Sequence, residues 1–281
     1  MLIERMFAVK AATVAAALCL LAAGAQAASL PRPAHVVVVI EENHTAGEIV
    51  GNAAAPYMNA LARQGAYFAR SYAVMHPSLP NYLALFAGRT NDNADGCPAT
   101  GIPTDAPNLG SALAAAHLSF IRYAQGLPEP GSMVCSAGQY ARKHAPWVHF
   151  SDLPQKTISL PFSDFPRDYA TLPTVAFVIP DLMNDMHDGT IRQADTWLTQ
   201  NIRPLVAWAQ THDTLVILTW DEDDVSGDNQ IPTMFVGPMV KSGRYAERIS
   251  HYSVLRTIED FYGLPHAGHS AEAAPITDCW K

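Results

Sequence analysis

The chain alternates between short unbroken apolar runs and longer stretches in which apolar residues return every three or four positions. Residues 35–40, HVVVVI, form a continuous β-branched run, which predicts a strand buried on both faces of a parallel sheet. Residues 174–179 (TVAFVI) and 215–220 (LVILTW) repeat that signature, residues 231–236 give a shorter version, and residues 66–74 and 119–123 read as further short strands. Between them the period changes. Residues 56–64 predict a helix with Tyr57 and Leu61 on one side and Gly65 as its stop, and residues 109–117 predict another. Residues 191–210 carry Ala194, Trp197, Leu198 and Ile202 on one face, with a bend or break expected before Pro204, and residues 250–262 turn Val254, Leu255, Ile258 and Phe261 inward. Strands alternating with helices predict an α/β chain folded as a three-layer α/β/α sandwich with a largely parallel sheet.

The polar residues are placed as tellingly as the apolar ones. Glu41-Glu42-Asn43 follows the first strand, Asp181 to Asp188 follows residues 174–179, and Asp221-Glu222-Asp223-Asp224 follows residues 215–220. All three ends fall at the carboxyl edge of the sheet, where open α/β folds bind their ligands. Four successive acids at a buried strand end repel one another unless a cation compensates. Glu42, Asn43, Asp221 and Glu222 are hard oxygen donors, so the expectation is one divalent ion, with Mg, Ca or Mn better suited than Zn.

A candidate nucleophile stands in HPSLPNYLALFAGRT, residues 76–90. Ser78 at an N-cap, Pro80 in the first turn and Gly88 after the last predict one short helix. Its N-terminus would present outward N–H groups and a positive dipole end to a phosphate beside the Ser78 hydroxyl. The competing reading is a serine that only caps. His187, in NDMHDG, is the candidate proton donor to a leaving group. Arg142-Lys143-His144 is a basic cluster in an irregular, proline-rich segment, and Lys143 and His144 are expected at the substrate, as are His76 and His251.

Composition narrows the picture. With 281 residues, 49% of them hydrophobic, the chain can build a large core, and a net charge of −8 with no Lys/Arg stripe that could track phosphates argues against nucleic acid as a partner. Residues 1–27 read as a signal peptide, with Arg5 and Lys10 flanking the apolar run 11–23 and Ala25-Gln26-Ala27 as the cleavage pattern. Residues 28–281 are then one exported domain, periplasmic or secreted, with no stable membrane insertion after cleavage. An oxidising compartment permits a bridge between Cys97 and Cys135, leaving Cys279 near a mobile end; the alternative leaves all three reduced.

Glu42-Asn43, HPSLPNYLALFAG, KHAPW, NDMHDG, TWDEDD and SHYSVLRTIEDFYGL, in that order, resemble the bacterial phosphoesterase family of secreted acid phosphatases and phospholipase C enzymes, over residues 35–264. The resemblance implies an alkaline-phosphatase-like fold. It also implies that Glu42-Asn43 and Asp221-Glu222 bind the metal, that Ser78 is both nucleophile and metal ligand, and that Asn81 contacts a phosphate oxygen. His76, His144, His187 and His251 fall at the family's active-site histidines. Ala145 stands where relatives commonly carry Asn. The Asp-x-x-x-His pair of two-zinc relatives is not cleanly matched, so a single metal is expected. The activity implied is hydrolysis of phosphate monoesters, phosphoinositides among them, on a small phosphorylated substrate or a phospholipid headgroup. A phospholipase C-type phosphodiesterase and a catalytically silent exported binding protein are the alternatives.

Overall fold

In the computed structural model, residues 30–91 and 95–281 are described. The expected signal peptide lies outside them. Among the described residues no helix is long and apolar enough to cross a membrane.

The strands are β1 (His35–Glu41), β2 (Ala66–Tyr72), β3 (Phe120–Ala124), β4 (Ser136–Ala137), β5 (Tyr140–Ala141), β6 (Ser159–Pro161), β7 (Val175–Ile179), β8 (Thr214–Trp220), β9 (Thr233–Val236) and β10 (Gly243–Ser250). The helices are α1 (Ala46–Ile49), α2 (Pro56–Gln64), α3 (Ser78–Ala87), α4 (Leu109–Ala115), α5 (Gln155–Ile158), α6 (Ile191–Asn201), α7 (Arg203–Ala209) and α8 (His251–Tyr262). Eight strands form one sheet in the order β10-β2-β9-β8-β1-β7-β3-β6, and β4 pairs only with β5. Every pairing in the large sheet is parallel except those of β9 with β2 and β8.

β1 lies between β7 and β8, and its β-branched run is buried on both sides. Val36, Val38 and Ile40 pack into one layer with Leu79, Leu83 and Phe86 of α3 and Val254, Leu255 and Ile258 of α8. Val37 and Val39 pack into the opposite layer with Met58 and Leu61 of α2, Leu198 of α6 and Leu205 of α7. The period of two along a strand therefore feeds two separate cores, which is the three-layer sandwich read from the sequence. The helix expected over residues 191–210 is two helices, broken at Ile202, because Pro204 cannot supply the N–H that would continue the first.

Two strands of the large sheet, and the two-residue β4 and β5, escaped the sequence reading. β10, GRYAERIS, is an edge strand whose exposed charged residues hide its period, and β6 is only three residues long. Cys97 and Cys135 are bonded, closing a 38-residue separation. Cys279, expected near a mobile end, is instead buried: its carbonyl accepts from Lys241 N at 2.8 Å, and Trp280 next to it packs on Phe235 and Phe261.

Candidate active site

Because β7, β1 and β8 are adjacent and parallel, the residues that follow them emerge side by side at one edge of the sheet. Glu42 N donates to Asp185 O at 2.8 Å and Asp221 N donates to Glu41 O at 2.9 Å, so backbone bonds lock the three carboxylates together. α3 enters the same edge after β2 and is buried along its whole length.

Ser78 is not the N-cap. Pro77 occupies that position, extended and without a side chain that can cap, and Ser78 is the first helical residue. Its hydroxyl is thus released from capping and donates to Glu42 Oε2 at 3.1 Å. The cap arrives from a distant loop: Leu79 N donates to Asp95 Oδ1 at 2.8 Å. One turn along α3, the Tyr82 hydroxyl donates to Glu42 Oε1 at 2.6 Å.

The bottom of the site is fully enclosed. Glu42, His144 and Asp185 bring one potential ligand atom each to within 4.8 Å of one another, and this buried group can hold a metal ion. His144 Nε2 is 3.1 Å from Glu42 Oε1 and its Nδ1 is 3.6 Å from Asp185 Oδ2, while its ring stacks on Tyr82 with centroids 5.0 Å apart. His144, expected at the substrate, therefore sits among the acids beneath Ser78. Burial, then Lys143 and His187, push its pKa well down, so it stays a neutral imidazole, the ligating form.

The acids are held in a state that calls for a cation. Burial lifts the Asp221 pKa to about 7 even though Ser78, Glu42 and two backbone N–H groups stabilise the charged form. Burial, followed by Asp221 and Asp185, drives Glu42 well above the usual carboxylate range, and Asp185 is raised chiefly by burial. Asp221 Oδ2 and Asp185 Oδ2 are buried without a hydrogen-bond partner. A buried carboxylate atom left unpaired is destabilising by about 1 to 3 kcal/mol, which a bound proton or a divalent ion would offset. The donor set, oxygens with one imidazole, fits such an ion.

Of the other expected ligands, Asn43 faces Asp221 through its backbone, with N 3.3 Å from Oδ1. Glu222 lies to one side, where Asn81 Nδ2 donates to its Oε2 at 3.1 Å and His76 Nδ1 approaches within 3.0 Å. Burial, then Asp221 and Asp95, raise the Glu222 pKa to about 9. Asn81, expected on phosphate, is buried; its Oδ1 accepts from Val74 N and Met75 N, and its Nδ2 reaches Met75 O at 2.6 Å, so it braces the turn before α3. His76 Nε2 is 3.2 Å from Asp223 Oδ1. His251 is buried behind β8 with Nε2 2.6 Å from Asp221 O, a support for the strand end rather than a group in the opening.

The mouth of the site is Lys143, His187 and Asp95. Lys143 Nζ lies 3.5 Å from Ser78 Oγ, 3.0 Å from Asp95 Oδ2 and 3.0 Å from His187 Nε2. Burial alone would lower the Lys143 pKa, but Glu42, Asp95 and Asp221 outweigh it and keep the ammonium charged. His187 Nδ1 is 2.7 Å from Asp188 Oδ1, and its backbone N donates to Asp185 Oδ1 at 2.8 Å. An ammonium at Nε2 and a carboxylate at Nδ1 place the resting proton on Nδ1. Arg142 of the same basic cluster turns away and bonds the Met133 carbonyl.

Sequence reasoning missed Asp185, Tyr82 and Asp95. Asp185 carried the same signal as Asp221, an acid just past a buried strand. Tyr82 could have been found four residues after Ser78 on one helical face. Nothing local marked Asp95.

A helix N-terminus with a freed serine, facing a buried acid and histidine cluster that can hold a metal ion, on a largely parallel sheet with two helical layers, is a site suited to an oxyanion beside a hydroxyl. A sequence profile of the Phosphoesterase family matches residues 52–265, and the chain belongs to that family, hydrolases of phosphoric esters. It is 53% identical to the phosphatidylinositol-3-phosphatase of Mycobacterium tuberculosis (strain ATCC 25618 / H37Rv), over 92% of this chain and 86% of that one. It is 32% identical to an acid phosphatase of Aspergillus fumigatus over 75% of this chain, spanning 51% of that longer protein. In fold it is similar to an alkaline phosphatase superfamily protein from Vibrio parahaemolyticus, with a TM-score of 0.58 at 13% identity over 88% of this chain and 71% of that one. It is likewise similar to a phosphonate monoester hydrolase from Silicibacter pomeroyi, with a TM-score of 0.60 at 12% identity over 86% and 76% of the two chains.

Proposed function

We propose that this chain is an exported, metal-dependent acid phosphatase that hydrolyses phosphate monoesters, phosphoinositides among them, through Ser78. The observation that carries the reading is the Ser78 hydroxyl itself. It is buried at the start of α3, 3.1 Å from a Glu42 carboxylate and 3.5 Å from the Lys143 ammonium, with the helix N-terminus behind it. The substrate class is carried over from the mycobacterial relative's name at 53% identity, and export rests on the signal-like residues 1–27.

Glu42, Asp185, His144 and Asp221, with Ser78 and the flanking Asn43 and Glu222, would hold one divalent ion. Their mostly oxygen donors suit Mg, Ca or Mn. When bound, the ion supplies Lewis-acid stabilisation of charge on phosphoryl oxygens and favours ionised Ser78.

The chain's own groups do the rest. Glu42 Oε2 takes the hydrogen bond of Ser78 and orients Oγ toward the mouth. Oγ attacks phosphorus in line, the ester P–O bond breaks, and Lys143 steadies the phosphoryl oxygens. Once Lys143 has turned its hydrogen bond to the substrate, His187, its Nδ1–H held by Asp188, takes a proton from solvent on Nε2 and passes it to the departing alkoxide. Water then attacks the phosphoserine, freeing inorganic phosphate, and Ser78 Oγ regains from Glu42 Oε2 the proton it passed there during its attack.

Ser78→Ala, shown to be folded by circular dichroism, is expected to lose at least about a thousandfold in kcat/KM on p-nitrophenyl phosphate, since it lacks the hydroxyl that forms the phosphoserine. Full activity in that variant would remove the serine from the mechanism. Strong preference for bis(p-nitrophenyl) phosphate over the monoester would favour a phosphodiesterase, and no activity on either would favour a binding protein.

A further inference from the structure

Asp95 lies on the solvent side of the nucleophile, and its position is that of an anion already seated. Its Oδ1 accepts from Leu79 N at 2.8 Å and its Oδ2 from Lys143 Nζ at 3.0 Å. These are the backbone N–H next to the nucleophile and the ammonium 3.5 Å from Ser78 Oγ. A phosphoryl group close enough for Ser78 to attack draws on the same two donors, because a helix N-terminus and a lysine are the positive groups at this mouth. The groups below Ser78 are sealed: Glu42 and Asp221 are at most 1% exposed. Asp95 and Lys143 side chains, by contrast, are 25% and 20% exposed, so a substrate reaches Ser78 past them.

We propose that Asp95 is a specificity-determining charge filter, which shares Lys143 and the α3 N-terminus with the incoming phosphoryl group and selects it as a monoanion. The filter rests on the Ser78 reading above. A phosphate monoester is a dianion above its second ionisation and a monoanion below it, with the crossover near pH 6 for alkyl esters. A fixed carboxylate beside the phosphoryl oxygens repels the dianion about twice as strongly. Lys143 offsets one charge only, and it also answers to Glu42, Asp221 and His187. On the neighbouring loop Glu222, its pKa raised to about 9, adds no full charge near neutral pH, and His76 and His187 stand at the rim. Two charges about 5 Å apart in a partly solvated site are worth roughly a ten- to hundredfold effect. Acid phosphatase behaviour then follows from the charge of the substrate as much as from any group on the enzyme. A diester, a monoanion at every pH of interest, meets one unit of this repulsion where the dianion meets two, and its share does not change with pH.

The test compares Asp95→Asn with wild type on p-nitrophenyl phosphate and on methyl p-nitrophenyl phosphate, as kcat/KM against pH. Asn keeps an acceptor for Leu79 N–H and removes only the charge. The expected result is a gain for the monoester at pH 7.5 that exceeds the diester's own gain by roughly tenfold or more, with the monoester optimum moved to higher pH. Inhibition by inorganic phosphate at pH 7.5 should tighten by a similar factor. Asp95→Glu should retain the wild-type pH profile, and Asp95→Ser replaces the Asn variant should that one not fold. Parallel losses on both esters would overturn the filter and leave Asp95 as a cap and an anchor for Lys143; unchanged kinetics would overturn it as well. Ser78→Ala separates the two claims: if it is inactive while Asp95→Asn shows no change in selectivity, the filter fails and the serine mechanism stands. Activity surviving in Ser78→Ala removes the mechanism and the filter together.

Discussion

At the scale of single residues, burial decides which groups carry charge. His149 shows this away from the acids. Burial, aided by Arg142, pushes its pKa down to about 4, whereas in an unfolded chain it titrates near 6.5. As pH falls through that window the unfolded state gains a proton that the folded state refuses. Its stabilising contribution is therefore intact above about pH 6.5 and is lost progressively toward pH 4. His149→Gln should flatten the fall in stability over this range by on the order of 1 kcal/mol, after allowance for its partial exposure. Urea midpoints for the two proteins at pH 7 and pH 4.5 give the measurement: an equal fall in both would show that His149 does not titrate in this way. For an enzyme proposed to work in acid, such histidines limit the lower end of the usable range.

At the scale of elements, α3 is the organising piece. Its N-terminus presents Ser78, Tyr82 follows one turn along beneath it, and all ten of its residues are buried, so its seating fixes the proposed nucleophile. The C-terminal end is held by Gly88, left-handed at φ 62°, whose carbonyl accepts from His269 N at 2.7 Å. A Cβ at position 88 would run into the Ala267 carbonyl oxygen. Gly88→Ala should therefore destabilise by roughly 2 to 5 kcal/mol, through the left-handed conformation and the overpacking together. It should leave kcat near wild type below the melting temperature, because the far end of the helix carries the chemistry. A thermal melt with rates at 20 °C checks both parts, and an unchanged melting temperature would contradict the packing argument.

At the scale of the whole molecule, a covalent tie joins two segments that the sheet does not connect. Cys97 lies two residues beyond Asp95, Cys135 eight before Lys143, and the bridge between them keeps the two partners of the site mouth in reach. Closing a loop of 38 residues constrains the unfolded chain by about 3 to 4 kcal/mol. The double variant Cys97→Ser, Cys135→Ser should lose that much in denaturant unfolding, and dithiothreitol should lower wild type toward it. Were the reduced and oxidised proteins equally stable, the bridge would have no part in holding the fold.

What the sequence determined by itself follows from local physics. The β-branched runs could only be strands buried on both faces, the acids after them had to reach the open edge, and Pro204 had to break a helix. The strand ends thus announced Glu42, Asp221 and, within the acid-rich stretch after residues 174–179, Asp185. Which of those acids share an ion, and that His144 joins them, depended on β7, β1 and β8 lying side by side, a strand order no local pattern encodes. Likewise the freeing of Ser78 from capping required a carboxylate from a loop sixteen residues further on to take the Leu79 amide. Periodicity and propensity act over a few residues, so they write the elements into the chain; contacts between distant segments arise only when the sheet assembles, so the tertiary fold alone decided the partners of Ser78.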